Sequence, residues 1–245
     1  MRVFGVSWKL MRATLHAVRG FWTIKTVFPK LEQAAREARV HAWAGEMLRI
    51  VGIELVVNGT PPAAGPVLLV ANHISWLDIL VIHASRHCRF VSKSDVKDWP
   101  FVSTLAHGAD TLYIERASRR DAHRVVLQMA VRLRAGDVLA VFPEGTTGDG
   151  ITLKPFHANL IQAAIEASVP VQPVALKFID RASGATSFAP SYVDDETLIG
   201  SISRTLTARG LKAVVTFGEP QESQGQTRRA WAQALREDIE RLRQV

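Results

Sequence analysis

The sequence predicts an α/β fold, with a largely parallel sheet flanked by helices on both faces and a helical unit at the N-terminus. Its 245 residues suit one α/β domain with a small appendage. Hydrophobic residues make up 47% and charged residues 22% of the chain, which is ordinary globular composition. Short apolar runs alternate with helical patterns after residue 50, and this repeated βαβ order implies a sheet with helices on both faces.

The predicted elements follow from apolar periodicity and from turn residues. Residues 67–70 are fully apolar, as expected of a strand buried on both faces. Predicted strands cover 53–57, 67–70, 89–92, 111–115, 138–142, 171–176 and 211–217. Predicted helices cover the basic N-terminal segment, 31–50, a stretch from about 76, 100–106, a stretch ending at Gly136, 157–168, 195–209 and the C-terminus, with a loop at 180–193. We divide the chain near residue 50, into 1–50 and 51–245.

The N-terminal segment predicts an amphipathic basic helix. Residues 1–31 contain six Lys or Arg residues, and no acidic residue occurs before Glu32. Apolar side chains recur every three or four residues and fall on one face: Phe4, Trp8, Met11, Leu15, Val18 and Trp22. This pattern is typical of a helix that lies in a membrane interface. The alternative is a helix that only docks on its own domain.

The charge balance predicts an acidic partner. Lys and Arg number 30 against 23 Asp and Glu, which gives a formal net charge of +7. An anionic membrane surface or a phosphorylated substrate fits this charge, whereas no nucleic-acid-reading motif is present. Cys88 is the only cysteine, so an intrachain disulfide and a multi-cysteine zinc site are excluded. His83 and His87 have metal-ligand spacing with Cys88 but no evident fourth ligand, so we expect no metal.

Polar residues that could carry chemistry follow the strand predicted at 67–70. Ser75 and Asp78 form a capping box, which directs the Asp78 carboxylate back over the helix start. His73 lies in the same small space. A carboxylate beside an imidazole holds the tautomer with the proton on Nδ1, so that Nε2 is free to accept a substrate proton. The alternative is that Asp78 only caps the helix.

Two further segments end predicted strands. Glu144 follows the strand at 138–142, and Gly145 permits a turn there. Glu144 could accept hydrogen bonds from a polyol or orient a neighbouring base; the alternative is an ordinary turn. Arg116 ends the strand at 111–115, where a guanidinium suits bidentate phosphate binding. Ser118 and Asp121 form a second capping box after it.

Four blocks along the chain resemble a known family. They are Asn72-His73-x-Ser75-x-x-Asp78, Tyr113-Ile114-Glu115-Arg116, Phe142-Pro143-Glu144-Gly145-Thr146 and Val169-Pro170-Val171-Gln172-Pro173-Val174. In this order they resemble the blocks of the glycerolipid acyltransferases, with the overall look of the bacterial 1-acylglycerol-3-phosphate acyltransferases. The resemblance spans residues 65–220. Glu115 stands where Asp is common in the family, which keeps the charge.

The resemblance implies transfer of a fatty acyl group from acyl-CoA or acyl-carrier protein to a lysolipid hydroxyl. The acceptor it implies is 1-acylglycerol-3-phosphate, giving phosphatidic acid; the alternatives are another lysolipid, such as lyso-ornithine lipid, or a non-catalytic lipid-binding membrane protein. His73 would be the general base and Asp78 its partner. We expect no cofactor beyond the acyl donor.

The resemblance also implies a substrate-binding set and a location. Arg116 would bind the phosphate of the acceptor, and Lys93 resembles a second phosphate contact. Glu144, Gly145 and Thr146 would contact the glycerol phosphate of the acceptor. The family commonly carries an N-terminal two-helix unit that enters the membrane face, which agrees with residues 1–50. We therefore expect a peripheral or monotopic protein at the cytoplasmic face of the inner membrane.

Overall fold

A computed structural model describes residues 2–93, 100–114, 119–193 and 196–244. The helices in this part of the chain are α1 (Arg2–Thr26), α2 (Gln33–Val51), α3 (Leu77–Ser85), α4 (Pro100–Gly108), α5 (Arg119–Arg134), α6 (Gln162–Ala167), α7 (Leu198–Thr207) and α8 (Arg228–Leu242). The strands are β1 (Glu54–Asn58), β2 (Val67–Ala71), β3 (Arg89–Lys93), β4 (Leu112–Ile114), β5 (Val138–Val141), β6 (Val171–Asp180) and β7 (Leu211–Phe217).

The strands form a seven-stranded sheet in the order β1-β7-β6-β2-β5-β3-β4. Every neighbouring pair of these strands is parallel except β6 and β7, which are antiparallel. The predicted largely parallel sheet is confirmed. β6 continues to Asp180 rather than ending at residue 176, because its last residues pair with β7 through to Leu211.

Helices cover both faces of the sheet and divide the core in two. All five residues of β2 are buried, and they alternate between the two sides. Leu69 and Ala71 belong to the cluster under α2 and α3, whereas Leu68 and Val70 belong to the cluster under α5, α6 and α8. This alternation is the pleat of a strand with two apolar faces, so the fully apolar run at 67–70 was a correct signal.

One predicted helix is much shorter than expected. The helix predicted over 157–168 covers only Gln162–Ala167, and turns precede it. The backbone N–H of His157 donates to the carbonyl of Pro143 at 2.8 Å, which ties this residue to the loop after β5. Residues 158–161 form turns instead, in which the N–H of Leu160 donates to the His157 carbonyl at 3.3 Å and that of Ala163 to the Leu160 carbonyl at 3.3 Å.

The two N-terminal helices are fastened to each other and to the core. The α2 residues Met47, Leu48 and Val51 lie in the core cluster next to β2. His16 of α1 donates from Nε2 to the Trp43 carbonyl of α2 at 3.0 Å, and Trp43 Nε1 donates to the His16 carbonyl at 3.2 Å. Their rings stack at 5.2 Å. This reciprocal pair fixes how α1 lies on α2.

The apolar stripe of α1 faces outward. Trp8, Met11, Leu15, Val18 and Trp22 are between 41% and 61% exposed. The opposite face of the helix packs against the core through Val6, Ala13 and Ala17. The helix thus docks on its domain by one face while the predicted stripe is left uncovered. Within the described ranges, no helix is both long enough and apolar enough to cross a membrane.

Candidate active site

The sheet brings two of the polar segments together. β2 and β5 are parallel neighbours, with Val70 opposite Val141. Their carboxyl ends therefore meet at one edge, and the loops that follow them, 72–76 and 142–157, lie side by side. This edge is where parallel α/β sheets generally bind ligands.

His73 and Asp78 form a direct pair. His73 Nδ1 lies 2.8 Å from Asp78 Oδ2, and the Asp78 side chain is fully buried. The same oxygen accepts the backbone N–H groups of Ile74 at 2.6 Å and Ser75 at 2.8 Å. Asp78 thus binds the backbone before α3 and the imidazole of His73 at the same time. Capping the helix start and orienting the imidazole are therefore not mutually exclusive. Nε2 is left for a substrate.

The predicted capping box forms in part. Asp78 reaches back to the Ser75 backbone as expected. The Ser75 hydroxyl accepts from the N–H of Leu77 at 3.3 Å rather than from that of Asp78, whose N–H donates to the Ser75 carbonyl at 3.1 Å. α3 begins one residue later than the box predicts, at Leu77. The second predicted box includes Ser118, which lies outside the described residues.

Glu144 is buried and contacts the backbone of His73 rather than facing an open surface. Its Oε1 accepts the backbone N–H of His73 at 2.7 Å, and its Oε2 accepts that of Lys154 at 2.9 Å. Burial raises the pKa of the Glu144 carboxyl, and the two backbone hydrogen bonds oppose this only in part. Both oxygens therefore bind the backbone, one at His73 and the other at Lys154. Contact of Glu144 with the acceptor stays a prediction, as does its role in orienting a base.

Aromatic and amide groups complete the support of His73. Phe142 stacks on the imidazole at 4.0 Å with a 10° angle between the rings, and Phe90 stacks on Phe142 at 5.6 Å. The buried Asn72 side chain donates to the Leu176 carbonyl at 3.1 Å and accepts the Leu176 N–H at 2.7 Å. Phe142 thus packs on one face of the His73 ring. Asn72, which precedes His73, is hydrogen-bonded to β6.

A turn follows Glu144 and carries the other two residues of the predicted substrate-binding set. Gly145 has a φ of +73°, and its N–H donates to the Phe142 carbonyl at 3.1 Å. Thr146 is exposed beside this turn. The Thr147 hydroxyl is bonded to the Tyr192 carbonyl, and Lys154 Nζ donates to the Thr147 carbonyl at 2.7 Å. Gly145 and Thr146 are thus the parts of the predicted set that remain open to an acceptor.

Comparison with known proteins decides the family. The sequence model described as Acyltransferase matches residues 48–177, which is more than half of the chain. The chain belongs to the acyltransferase family.

Its relatives carry two different names. The acyltransferase is 34% identical over 204 residues to a lyso-ornithine lipid O-acyltransferase of Pseudomonas aeruginosa, covering 83% of this chain and 78% of the relative. A protein of the same name from Brucella abortus is 32% identical over 232 residues, covering 89% and 86%. A 1-acyl-sn-glycerol-3-phosphate acyltransferase of Neisseria meningitidis is 38% identical over 144 residues, covering 59% and 56%.

The fold is shared with a solved structure. The crystal structure of the 1-acyl-sn-glycerophosphate (LPA) acyltransferase of Thermotoga maritima superposes with a TM-score of 0.63 at 19% identity. The match covers 96% of this acyltransferase and 97% of that chain. At this identity the likeness establishes the fold alone.

The strands that precede the two predicted phosphate-binding residues, β3 and β4, belong to the same sheet as β2 and β5. β3 and β4 are parallel, with Lys93 opposite Ile114, so both strands end near the loop that carries His73. The Lys93 side chain and all of Arg116 lie outside the described residues. Their roles remain predictions.

Sequence reasoning missed several residues that support the base. Gly148 donates its backbone N–H to the His73 carbonyl at 2.7 Å, and Tyr192 donates its own to the Ile74 carbonyl at 3.2 Å. Phe142 was signalled only by its place directly after β5, and nothing in the sequence links Tyr192 to residue 74. These contacts join segments that are far apart along the chain.

No metal-binding group of three or more His, Cys, Asp or Glu residues occurs in the described part of the acyltransferase. The rings of His83 and His87 stack on each other at 5.4 Å, and Cys88 is buried. Burial lowers the pKa of His83 to about 3, so this imidazole is neutral and serves the packing between α2 and α3.

Proposed function

We propose that this protein transfers a fatty acyl group from an acyl thioester to the free hydroxyl of a lysolipid, with His73 as general base. The observation that carries the proposal is the 2.8 Å contact between His73 Nδ1 and the buried Asp78 carboxylate. A carboxylate in this position fixes the imidazole tautomer and stabilises the imidazolium that forms when Nε2 takes a proton. Membership of the acyltransferase family supports the reaction type.

The proposed reaction proceeds by direct attack. Nε2 of His73 removes the hydroxyl proton as the lysolipid oxygen bonds to the thioester carbonyl carbon. The tetrahedral intermediate then collapses, the carbon–sulfur bond breaks, and the leaving thiolate recovers the proton from the imidazolium. Glu144 and Phe142 act as positioning residues, because they hold the backbone and the ring of the base.

The first acceptor we propose is 1-acylglycerol-3-phosphate, with phosphatidic acid as the product. The blocks quoted above support it, since Arg116 and Lys93 would supply cations for its phosphate. Arginine binds phosphate oxygens through two parallel hydrogen bonds and suits this task. Gly145 and Thr146 would lie beside the glycerol, and Glu144 would act indirectly through the backbone.

A second acceptor, lyso-ornithine lipid, is supported by how far the relatives match. The chain spans 78% and 86% of the two lyso-ornithine lipid O-acyltransferases, against 56% of the Neisseria 1-acyl-sn-glycerol-3-phosphate acyltransferase. These two matches cover more of the chain than the Neisseria match does, and this difference supports lyso-ornithine lipid as a second candidate. Both candidates are lysolipids, and the mechanism at His73 is the same for each.

We further propose that the protein works at an anionic membrane surface, on the cytoplasmic face, as a peripheral or monotopic protein. The exposed stripe of α1 supports this, because Trp8 and Trp22 are 59% and 60% exposed beside flanking cations. Apolar burial and charge attraction together bind such a helix to a bilayer interface. The proposed donors are acyl-CoA and acyl-carrier protein, with no further cofactor.

The test measures thiol release from each donor with each lysolipid. Purified protein is mixed with acyl-CoA or acyl-carrier protein, and with 1-acylglycerol-3-phosphate or lyso-ornithine lipid in separate reactions. We expect acceptor-dependent release that is lost in His73→Ala and kept in His123→Ala, an exposed histidine on α5. Lipid binding without release in any combination would replace the enzyme by a lipid-binding protein, and normal turnover by a folded His73→Ala variant would remove His73 as the base.

A further inference from the structure

A cationic groove runs between α8 and the segment that follows the active-site loop. We call it the α8 groove; its volume is about 650 Å³. Its charged and polar lining residues are His157, Asn159, Arg228, Arg229, Gln233 and Arg236. No Asp or Glu is found among the described residues that line it. The groove therefore concentrates positive charge in a concave surface, which favours an anionic ligand.

The spacing along α8 puts these cations on one face. Arg228 and Arg236 are eight residues apart, with Ala232 between them, and all three line the groove. A rise of 1.5 Å per residue separates Arg228 from Arg236 by about 12 Å along the helix. The stripe is thus long enough to contact a ligand with more than one anionic group.

Two of the arginines have guanidinium groups that pair with no described residue. Arg228 and Arg229 are exposed, and no described residue forms an ion pair or side-chain hydrogen bond with either. Both lie in the first turn of α8, where the helix dipole disfavours cations. An anion in the groove would remove this unfavourable interaction and would find donors that are not already used.

The groove is continuous with the active-site loop. Arg236 donates to the Leu153 carbonyl at 2.7 Å and to the Lys154 carbonyl at 3.3 Å. Lys154 in turn donates its N–H to Glu144, which also holds the backbone of His73. One wall of the groove is therefore the same segment that positions the base, and a ligand that lies along it points one end toward the active-site edge.

We propose that the α8 groove binds the phosphate groups of the acyl donor, including the phosphate that joins the pantetheine arm to its carrier. This inference rests on the proposed acyl transfer. In an acyl thioester of this kind, an extended neutral arm separates the sulfur from the phosphates, so the phosphates must be bound away from His73. Coenzyme A and acyl-carrier protein share the pantetheine phosphate, and coenzyme A adds a second phosphate, which completes a diphosphate, and a 3′-phosphate.

The variant that tests this is Arg228→Ala/Arg229→Ala, with Arg209→Ala as its control. Arg209 is also exposed, forms no ion pair with any described residue, and does not line the groove. We expect the double variant to raise the KM for acyl-CoA about tenfold or more, because hydrogen bonds to charged groups are strong. Its kcat at saturating donor stays within about twofold, since His73 is untouched. The conservative variant Arg228→Lys/Arg229→Lys preserves both positive charges, so it should recover part of the loss.

A donor without phosphate tests whether the groove recognises the phosphate groups. An acyl-pantetheine thioester without phosphate is used as donor, and the double variant should use it as well as the unmodified protein does. An equal loss with this donor, an equal loss in Arg209→Ala, or an unchanged KM for both acyl-CoA and acyl-carrier protein would overturn the proposal. A rise confined to acyl-CoA supports the groove and assigns it the two phosphates that only coenzyme A carries. A rise confined to acyl-carrier protein would overturn the proposal, because coenzyme A carries the shared phosphate as well.

Direct binding separates this inference from the proposed function. Calorimetry with coenzyme A alone should show binding to the unmodified protein that weakens about tenfold in the double variant. If coenzyme A binds in this way but no acceptor is acylated, the groove stands and the proposed reaction fails. If acyl transfer is intact and arginine-independent, the reaction stands and the groove fails.

Discussion

Replacing Glu144 by glutamine should separate the positioning of the base from the stability of the fold. The glutamine amide has one oxygen and one NH2 group, so in either orientation its NH2 faces the N–H of His73 or that of Lys154. One hydrogen bond to a charged acceptor is lost, which removes about 1.5–3 kcal/mol of interaction. The neutral amide also avoids the burial cost that raises the pKa of Glu144. These effects oppose each other, so we expect a change in unfolding free energy within about 1 kcal/mol.

Turnover should respond more strongly than stability. A displacement of the catalytic group by about 1 Å can lower the rate about 100-fold, so we expect kcat of Glu144→Gln to fall at least about tenfold. The KM for the acceptor should change much less, because the carboxyl group faces inward. Steady-state kinetics and denaturant unfolding measure the two quantities, with Glu219→Gln, an exposed position, as control. A large rise in acceptor KM with unchanged kcat would refute the positioning role and restore direct acceptor contact.

Because the pKa of Glu144 is raised in the folded protein, the free energy of unfolding should depend on pH. Because the folded state raises this pKa, the folded protein binds the proton more tightly than the unfolded chain does. The contribution of Glu144 to stability is therefore greatest below its unfolded pKa and declines as the pH rises through its folded pKa. Unfolding free energies measured across this range should show that slope in the unmodified protein and not in Glu144→Gln. Identical slopes would contradict the assignment of a buried carboxyl with a raised pKa.

Three other predictions concern the base, the acceptor and the membrane. His73→Ala should abolish acyl transfer in a folded protein, and Asp78→Asn should lower kcat severely because the imidazole loses its carboxylate partner; turnover assays check both. Arg116→Ala should raise the KM for 1-acylglycerol-3-phosphate more than about tenfold and leave the KM for a phosphate-free lysolipid unchanged, since a charge-assisted bond contributes about 1.5–3 kcal/mol. Trp8→Ala/Trp22→Ala should weaken binding to anionic vesicles at every salt concentration, as sedimentation would show, because both side chains are exposed and apolar; undiminished binding would mean that another surface contacts the bilayer.

Local signals in the sequence predicted the parts of the fold that depend on short-range order. The apolar run at 67–70 corresponds to β2, because burial on both faces of the sheet determines this pattern, and the strand predicted at 211–217 corresponds to β7. The helix predicted at 157–168 was wrong in its first half, where the chain forms turns and His157 contacts the loop after β5, a tertiary contact that the local helical pattern does not encode. The antiparallel direction of β7 relative to β6 also depends on tertiary pairing, which periodicity does not encode.

The contacts in the candidate site are also of two kinds, local and long-range. His73 and Asp78 are five residues apart at a helix start, so their contact follows from local geometry that the capping pattern already describes. Glu144 is 71 residues from His73, and its contact with the backbone arises only because β2 and β5 are neighbours in the sheet. Its position after a strand could be predicted, whereas the partner of each carboxyl oxygen could not.

The hydrogen bonds around His73 also bear on how this site tolerates mutation. Asp78 and Glu144 accept from the N–H groups of residues 73, 74, 75 and 154, which every amino acid except proline possesses. These particular hydrogen bonds therefore do not depend on which side chain stands at 74, 75 or 154, although Ile74 and Ser75 are also buried. A saturation mutagenesis scan should find proline harmful at all three positions, and at the half-buried Lys154 more harmful than the other substitutions. The geometry at His73 is thus set mainly by the path of the backbone through these loops.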